Sequence, residues 1–208
     1  MQKANVLIKL LLLGLVWTQT ACILRSWNPF YQENQLITDG RLEGRFVSKN
    51  DDLGEWVIQR LQKAVNDTLQ PTDTYRMRYW NQKAQAYTGE LDLHLFELEG
   101  IYYVDLLDVS IENLSEERSS PFMPFSQANA HLLAKVEWKE EGFTFWFLSE
   151  EAIKKMRKKH YAVRNHPLKA QGASEYLVTA STQKLQKLIR KKLKKDSFWD
   201  TEYSMQRI

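Results

Sequence analysis

Alternating apolar and polar side chains in one pair of segments constrain the fold more than any other feature of the sequence. The alternation runs from residue 87 to residue 95, a turn follows at Glu99-Gly100, and residues 101–109 return with apolar side chains on both sides. This period of two predicts a β-strand with one buried and one hydrated face. The apolar face of the first strand carries Tyr87, Leu91, Leu93 and Leu95.

A second hairpin is predicted further along the chain. Its first strand covers residues 132–138, and its turn is Glu140-Glu141-Gly142, in which glycine suits the positive φ that such turns often need. The returning strand, residues 143–148, reads FTFWFL and is apolar on both faces. Another part of the chain must therefore cover its outer side.

Other segments extend this β pattern. We expect strands in residues 42–50, 74–80 and 175–180, and we favour a strand over a helix in residues 55–68, where both spacings occur. Two helices are predicted near the C-terminus, one capped by Ser149 and one beginning at Ser181 or Thr179. The second has an apolar stripe of Leu185, Leu188, Ile189 and Leu193.

These elements predict a mainly β chain of the α+β class. We expect one antiparallel sheet curled into a partial or closed, lipocalin-like barrel with two C-terminal helices. A hydrophobic content of 43% and an aromatic content of 12% suit a globular domain with a substantial core.

The first residues predict an export signal. Lys3 supplies a positive start, an apolar stretch follows to Trp17, and small residues precede Cys22, which is the only cysteine. The apolar stretch is shorter than the roughly 20 residues that span a bilayer. With no second cysteine, the domain has no internal disulfide to stabilise it.

Thr20, Ala21 and Cys22 resemble the lipobox of bacterial lipoproteins. The resemblance implies cleavage before Cys22, a diacylglycerol on its sulfur and acylation (for example palmitate) of the new amino terminus. Together, these acyl chains anchor a protein to a membrane where one chain does not suffice. Ile23 follows the cysteine in place of the aspartate that marks inner-membrane retention in many such families, so the resemblance implies the outer membrane of the cell envelope.

The domain organisation follows from these segments. We predict a signal peptide over residues 1–21, a tether over 22–38 and one β-rich domain over 39–208. Charge is distributed unevenly along the domain: residues 23–151 hold twelve Lys/Arg against twenty-two Asp/Glu, whereas residues 152–195 hold fourteen against one. An acidic body followed by a basic end is the main compositional signal.

Few residues indicate chemistry. His94, His131, His160 and His166 have no metal-ligand spacing, and nucleotide-binding and nucleophile motifs are absent from the sequence. Asp105 and Asp108 lie three apart on a strand and so point to opposite faces, which favours a structural, hydrogen-bonded role for Asp105 over a paired catalytic role. We therefore expect no catalytic residue, no metal site and no cofactor.

Two functions fit this sequence. The first is a non-enzymatic lipoprotein that holds a small apolar ligand inside the barrel, and the second is an interaction or assembly lipoprotein whose solid barrel meets protein partners or the membrane through its acidic and basic faces. Nucleic acid is not an expected partner of an exported chain. Either a ligand cavity or a core would use the aromatic residues Tyr102, Tyr103, Trp138, Phe143, Phe145, Trp146 and Phe147, and a core is favoured.

Overall fold

We analysed a computed structural model of the protein. It describes residues 24–48, 51–83, 85–108, 130–149, 152–153, 163–165, 176–193 and 196–208. Eight strands of this chain form a closed antiparallel β-barrel, in which β2 to β8 follow one another around the wall and β11 joins β8 to β2. The eight strands are β2 (Gly44–Ser48), β3 (Asp51–Val65), β4 (Thr68–Asn81), β5 (Ala86–Leu98), β6 (Ile101–Asp108), β7 (His131–Lys139), β8 (Gly142–Leu148) and β11 (Trp199–Arg207).

Tight turns connect β3 to β4 and β5 to β6. Asn66 and Asp67 both have positive φ between β3 and β4, and Glu99 and Gly100 do the same between β5 and β6, which is the geometry of two-residue hairpin turns. Gly142, the first residue of β8, has a φ of 154°. A Cβ at this position would lie 2.0 Å from the backbone oxygen of Met205 in β11. Only glycine lets β11 approach β8 so closely. Both predicted hairpins are confirmed, and residues 55–65 are strand.

Three short strands and one helix lie outside the barrel. β1 (Leu24–Ser26), β9 (Val163–Asn165) and β10 (Tyr176–Val178) extend the sheet from the start of β7, with β1 parallel to β10. Helix α1 (Thr182–Lys192) follows, and single 3-10 turns occur at Glu33–Gln35, Gly40–Leu42 and Asp196–Phe198. Of the two predicted helices, the second is α1. In the region of the first, the structure describes only Ala152 and Ile153, which are helical.

The barrel interior is one apolar cluster. Its side chains come from alternate residues of the strands, as the period of two requires. The largest buried members are Trp56, Tyr75, Tyr79, Phe46, Phe143, Phe145, Ile58 and Met77.

A second cluster lies outside the wall, beneath α1 and the first described residues. It combines Phe96, Tyr103, Leu133, Leu148 and Trp199 of the strands with Phe30, Val178, Leu185, Leu188, Ile189 and Leu193. Another part of the chain does cover the outer side of the sheet, as residues 143–148 required, and α1 provides much of this cover. We call this cluster and the segments that cover it the outer layer.

Residues 24–38 do not match the tether that the sequence predicted over 22–38. From Leu24 onward the chain pairs with β7 and β10, Phe30 is buried, and Leu36 forms an isolated bridge with Phe96 of β5. Aromatic and aliphatic side chains in this segment fill the outer layer, which no local sequence pattern could indicate. The described part of the segment thus belongs to the fold.

Candidate functional site

Aromatic side chains of β8 pack against one another in the barrel interior. Phe143, Phe145 and Phe147 of β8 all point inward and are buried. The rings of Phe143 and Phe145 lie 4.8 Å apart, and Phe143 also meets Phe46 at 5.0 Å. Such distances are those of aromatic pairs in contact. These rings form a core.

The remaining aromatic candidates are divided between the two sides of the wall. Tyr102 and Trp138 pack partly buried against the interior, whereas Tyr103 and Trp146 belong to the outer layer. The indole Nε1 of Trp146 donates to Glu137 Oε2 at 2.9 Å. The seven predicted residues therefore do not line one common space.

A buried polar cluster lies between the barrel wall and the first described segment. Asp105 of β6 is completely buried and points outward from the barrel. Its Oδ2 accepts a hydrogen bond from the backbone N–H of Phe30 at 2.7 Å, and its Oδ1 lies 2.7 Å from His131 Nδ1. Both oxygens are therefore engaged, and Asp105 is the structural carboxylate that its position predicted. Asp108 is the last residue of β6, and its side chain is not among those that the structure describes.

His94 lies directly opposite Asp105 on β5 and belongs to the same region. Tyr31 stacks on the imidazole with ring centroids 4.9 Å apart, and Thr74 Oγ1 lies 3.2 Å from His94 Nε2. Burial lowers the pKa of His94, and burial together with the Asp105 carboxylate raises the pKa of Tyr31 to about 12. The sequence placed His94 on a hydrated face, which is wrong because Tyr31 covers it.

Tyr31 is the member of this cluster that the sequence did not indicate. It has no periodic neighbours, and its partner is sixty-three positions away along the chain. The cluster joins the segment at residues 30–31 to β4, β5, β6 and β7. Its arrangement fastens that segment to the barrel.

Helix α1 divides cleanly into two faces. Leu185, Leu188, Ile189 and Leu193 are buried against the barrel, together with the amide of Gln186. Gln186 Nε2 donates to the backbone oxygen of Phe30 at 3.2 Å. The opposite face is exposed and carries Lys184, Lys187, Arg190 and Lys191. We call these four residues the basic face.

Charges on the barrel wall are arranged differently. Arg76 of β4 contacts Asp92 at 2.9 Å and Glu90 at 2.8 Å, and Arg78 contacts Glu90 at 3.0 Å. Arg45 of β2 likewise pairs with Glu55 of β3. Within the described chain, no ion pair involves the basic face. Carboxylates of the barrel wall thus pair with several of its arginines. Among the described residues, the basic face of α1 has no such partner.

A groove of about 710 Å3 runs along the outer wall over β2 to β5. It is lined by Glu43, Arg45, Glu55, Gln59, Trp80 and Tyr87, among others. Tyr87 was predicted to share the inner face of β5 with Leu91, Leu93 and Leu95, but it is 46% exposed. A bulge explains this difference: Tyr79 pairs with Gly89 and Trp80 with Tyr87, so one extra residue reverses the face of Tyr87.

Some of the residues singled out in the sequence are not among those that the structure describes. Cys22, His160 and His166 lie outside the described residues. Among the described residues, no group of three His, Cys, Asp or Glu side chains is placed to hold a metal ion. The described part of the chain also contains no helix long and apolar enough to cross a membrane.

Comparison with known proteins gives no family assignment. No family model matches the chain, and no curated protein or solved structure is significantly similar to it.

Proposed function

We propose that this protein is a non-enzymatic lipoprotein of the bacterial cell envelope, attached through a lipid on Cys22, whose filled barrel serves as a rigid module for contacts with partners. The observation that carries the proposal is the interior, where buried aromatic and aliphatic side chains pack against one another along the barrel. A barrel filled in this way presents its outer surface to partners.

The alternative is a lipocalin-like protein that holds a small apolar ligand. Eight up-and-down strands are also the architecture of the lipocalins. Ligand sites of that kind have cavities of about 300–1,000 Å3, lined mainly by apolar side chains. The groove of about 710 Å3 differs in character because Glu43, Arg45 and Glu55 line it from outside the barrel. This favours the interaction module over a ligand carrier.

Native mass spectrometry of the protein from its own host separates the two functions. For an interaction module, we expect the mass of the acylated chain beginning at Cys22 and no retained small molecule. A stoichiometric small apolar molecule that survives purification would support the ligand carrier instead.

The membrane attachment is tested separately. Cys22→Ser should abolish labelling by a fatty acid analogue in growing cells, because it removes the only sulfur available for acylation. Fractionation of labelled cells expressing the native chain should then place it in the outer membrane, as Ile23 after the cysteine implies. Equal labelling of the variant would refute the lipoprotein assignment.

A further inference from the structure

The positive charges on the basic face of α1 are close enough to one another to destabilise the helix. Lys184 and Lys187 are three residues apart, as are Lys187 and Arg190, while Lys187 and Lys191 are four apart. Residues at these spacings are neighbours on a helix surface, and like charges there destabilise the helix. The eleven residues of α1 include no acidic side chain to offset this repulsion. A helix that needed only to cover the barrel would not require such a face.

The position of α1 relates this face to the proposed lipid. Thr182 Oγ1, in the first turn, donates to the backbone oxygen of Pro29 at 2.8 Å, and Asn28 Nδ2 donates to the backbone oxygen of Ala180 at 3.0 Å. Pro29 is seven positions after Cys22, so these two residues are at most about 25 Å apart. Helix α1 itself is roughly 16 Å long. The attachment point and the basic face therefore lie within reach of one membrane surface.

The proposed attachment point at Cys22 is also close to the folded domain along the chain. Because β1 begins at Leu24, only Ile23 lies between Cys22 and the folded domain. A protein held by a lipid at Cys22 would be kept close to the membrane, and part of its outer layer would have to face the headgroups. Phosphate groups of anionic lipids are the complementary chemistry for Lys and Arg side chains.

We propose that the basic face of α1 lies against the anionic phospholipid headgroups of the membrane that the lipid on Cys22 enters. This inference deepens the proposed function and rests on it for the location, but the headgroup contact is a property of the helix itself. The acyl chains supply the attachment, and the basic face sets the orientation of the barrel. The groove over β2 to β5 remains available to other partners.

The test uses the chain from Ile23 to Ile208, which contains every described element and lacks Cys22, so that lipidation plays no part. Its binding to mixed phosphatidylcholine–phosphatidylglycerol vesicles is compared with its binding to pure phosphatidylcholine vesicles by flotation. We expect binding only to the anionic vesicles, strongest at low salt, because screening weakens the attraction. Equal binding to both vesicles, or to neither, would overturn the proposal.

Matched variants separate the helix from net charge. The quadruple variant Lys184→Gln, Lys187→Gln, Arg190→Gln and Lys191→Gln should reduce partition into anionic vesicles about 10- to 100-fold. The control variant Arg41→Gln, Arg45→Gln, Arg78→Gln and Lys139→Gln removes the same charge from ion-paired positions on the barrel. Its partition into anionic vesicles should fall by at most about threefold. Equal losses in the two variants would show that net charge alone drives binding.

Circular dichroism melting checks that both variants are folded. Glutamine has a helix propensity close to that of lysine and arginine, and the four basic-face side chains are exposed, so α1 should persist. Cys22→Ser labelling reports independently on the lipid. Equal labelling of Cys22→Ser together with binding to anionic vesicles would refute only the lipid attachment. Loss of labelling without binding to anionic vesicles would refute only the contact of the basic face with headgroups.

Discussion

Inside the barrel, the buried side chains come from alternate residues of strands that are neighbours in the chain, whereas the outer layer is assembled from distant segments. The interior cluster consists of aromatic and aliphatic side chains, among them Trp56, Phe145 and Met77. The outer layer joins Phe30, Leu188 and Trp199, and it also buries Asp105 and Gln186. Pairing between successive strands therefore forms most of the wall, which β11 closes, while the outer layer fastens the first described segment and α1 to it.

The largest expected effect comes from removing β11, which belongs to both regions. Ending the chain after Phe198 opens the barrel between β2 and β8 and removes Trp199 from the outer layer. We expect cooperative unfolding to be lost, since two strand edges become unpaired. Urea denaturation followed by circular dichroism measures this. A truncated chain that still melts in one sharp transition would mean that the seven strands suffice.

Phe145→Ala tests the interior. The side chain is completely buried, so the substitution should lower the free energy of unfolding by about 3–5 kcal/mol. Trp146→Ala, on the next residue, is the matched change in the outer layer. Trp146 is only partly buried, so its loss should be smaller. Comparable losses from the two substitutions would contradict the distinction drawn between the faces of β8.

Leu188→Ala tests whether the outer layer unfolds together with the barrel. Leu188 lies on the buried face of α1, and its truncation should cost about 2–5 kcal/mol in a single cooperative transition. The control is Lys187→Ala on the exposed face, which should change stability by less than about 0.5 kcal/mol. A separate early transition in the Leu188 variant would show that α1 detaches from a barrel that remains folded.

Asp105→Asn tests the polar contacts that are found in the outer layer. It removes the charge that faces Phe30 N–H and His131 while keeping the shape of the side chain. We expect a loss of about 1–3 kcal/mol in chemical denaturation. Asp196→Asn serves as the control because that carboxylate is 93% exposed. Similar values for the two variants would mean that the Asp105 contacts contribute little.

The smallest effect is expected from His94, through its pH dependence. Burial lowers the pKa of His94 in the folded state, so the unfolded chain binds a proton more readily. Its contribution to stability should be complete above the unfolded pKa of about 6.5 and decline as the pH falls below it. Denaturation midpoints measured across this range should decline less steeply in His94→Asn than in the native chain. If the midpoints of His94→Asn decline with falling pH as steeply as those of the native chain, His94 does not contribute to the pH dependence of stability.

How far the sequence predicts the fold depends on how local the deciding contacts are. The hairpins around Glu99-Gly100 and Gly142 were readable because turn chemistry and alternation lie close together in the chain. The strand β11 was missed, although Tyr203 and Met205 alternate with polar residues, because a bulge between Trp199 and Thr201 interrupts the period. A bulge also reversed Tyr87. Such irregularities are fixed by neighbouring strands, which the local pattern does not reveal.

Residue spacing also predicted part of the candidate site and of the helix surface. The structural role of Asp105 and the two faces of α1 followed from spacing alone. The partners of Asp105 could not be predicted, since Phe30 lies seventy-five positions away and approaches only after the outer layer forms. Gln186 is buried beside the same segment, where its Nε2 donates to the backbone oxygen of Phe30.

The pairing of β2 with β11 has a consequence for the order of events in synthesis. Phe46 pairs with Arg207, and Ser48 with Met205, so the barrel is closed by residues made at opposite ends of the translated domain. The closed form is unattainable until residue 207 has left the ribosome. Contacts of such long separation also form slowly. For as long as β11 is missing from the wall, the edges of β2 and β8 stay unpaired and can pair with the strands of other chains.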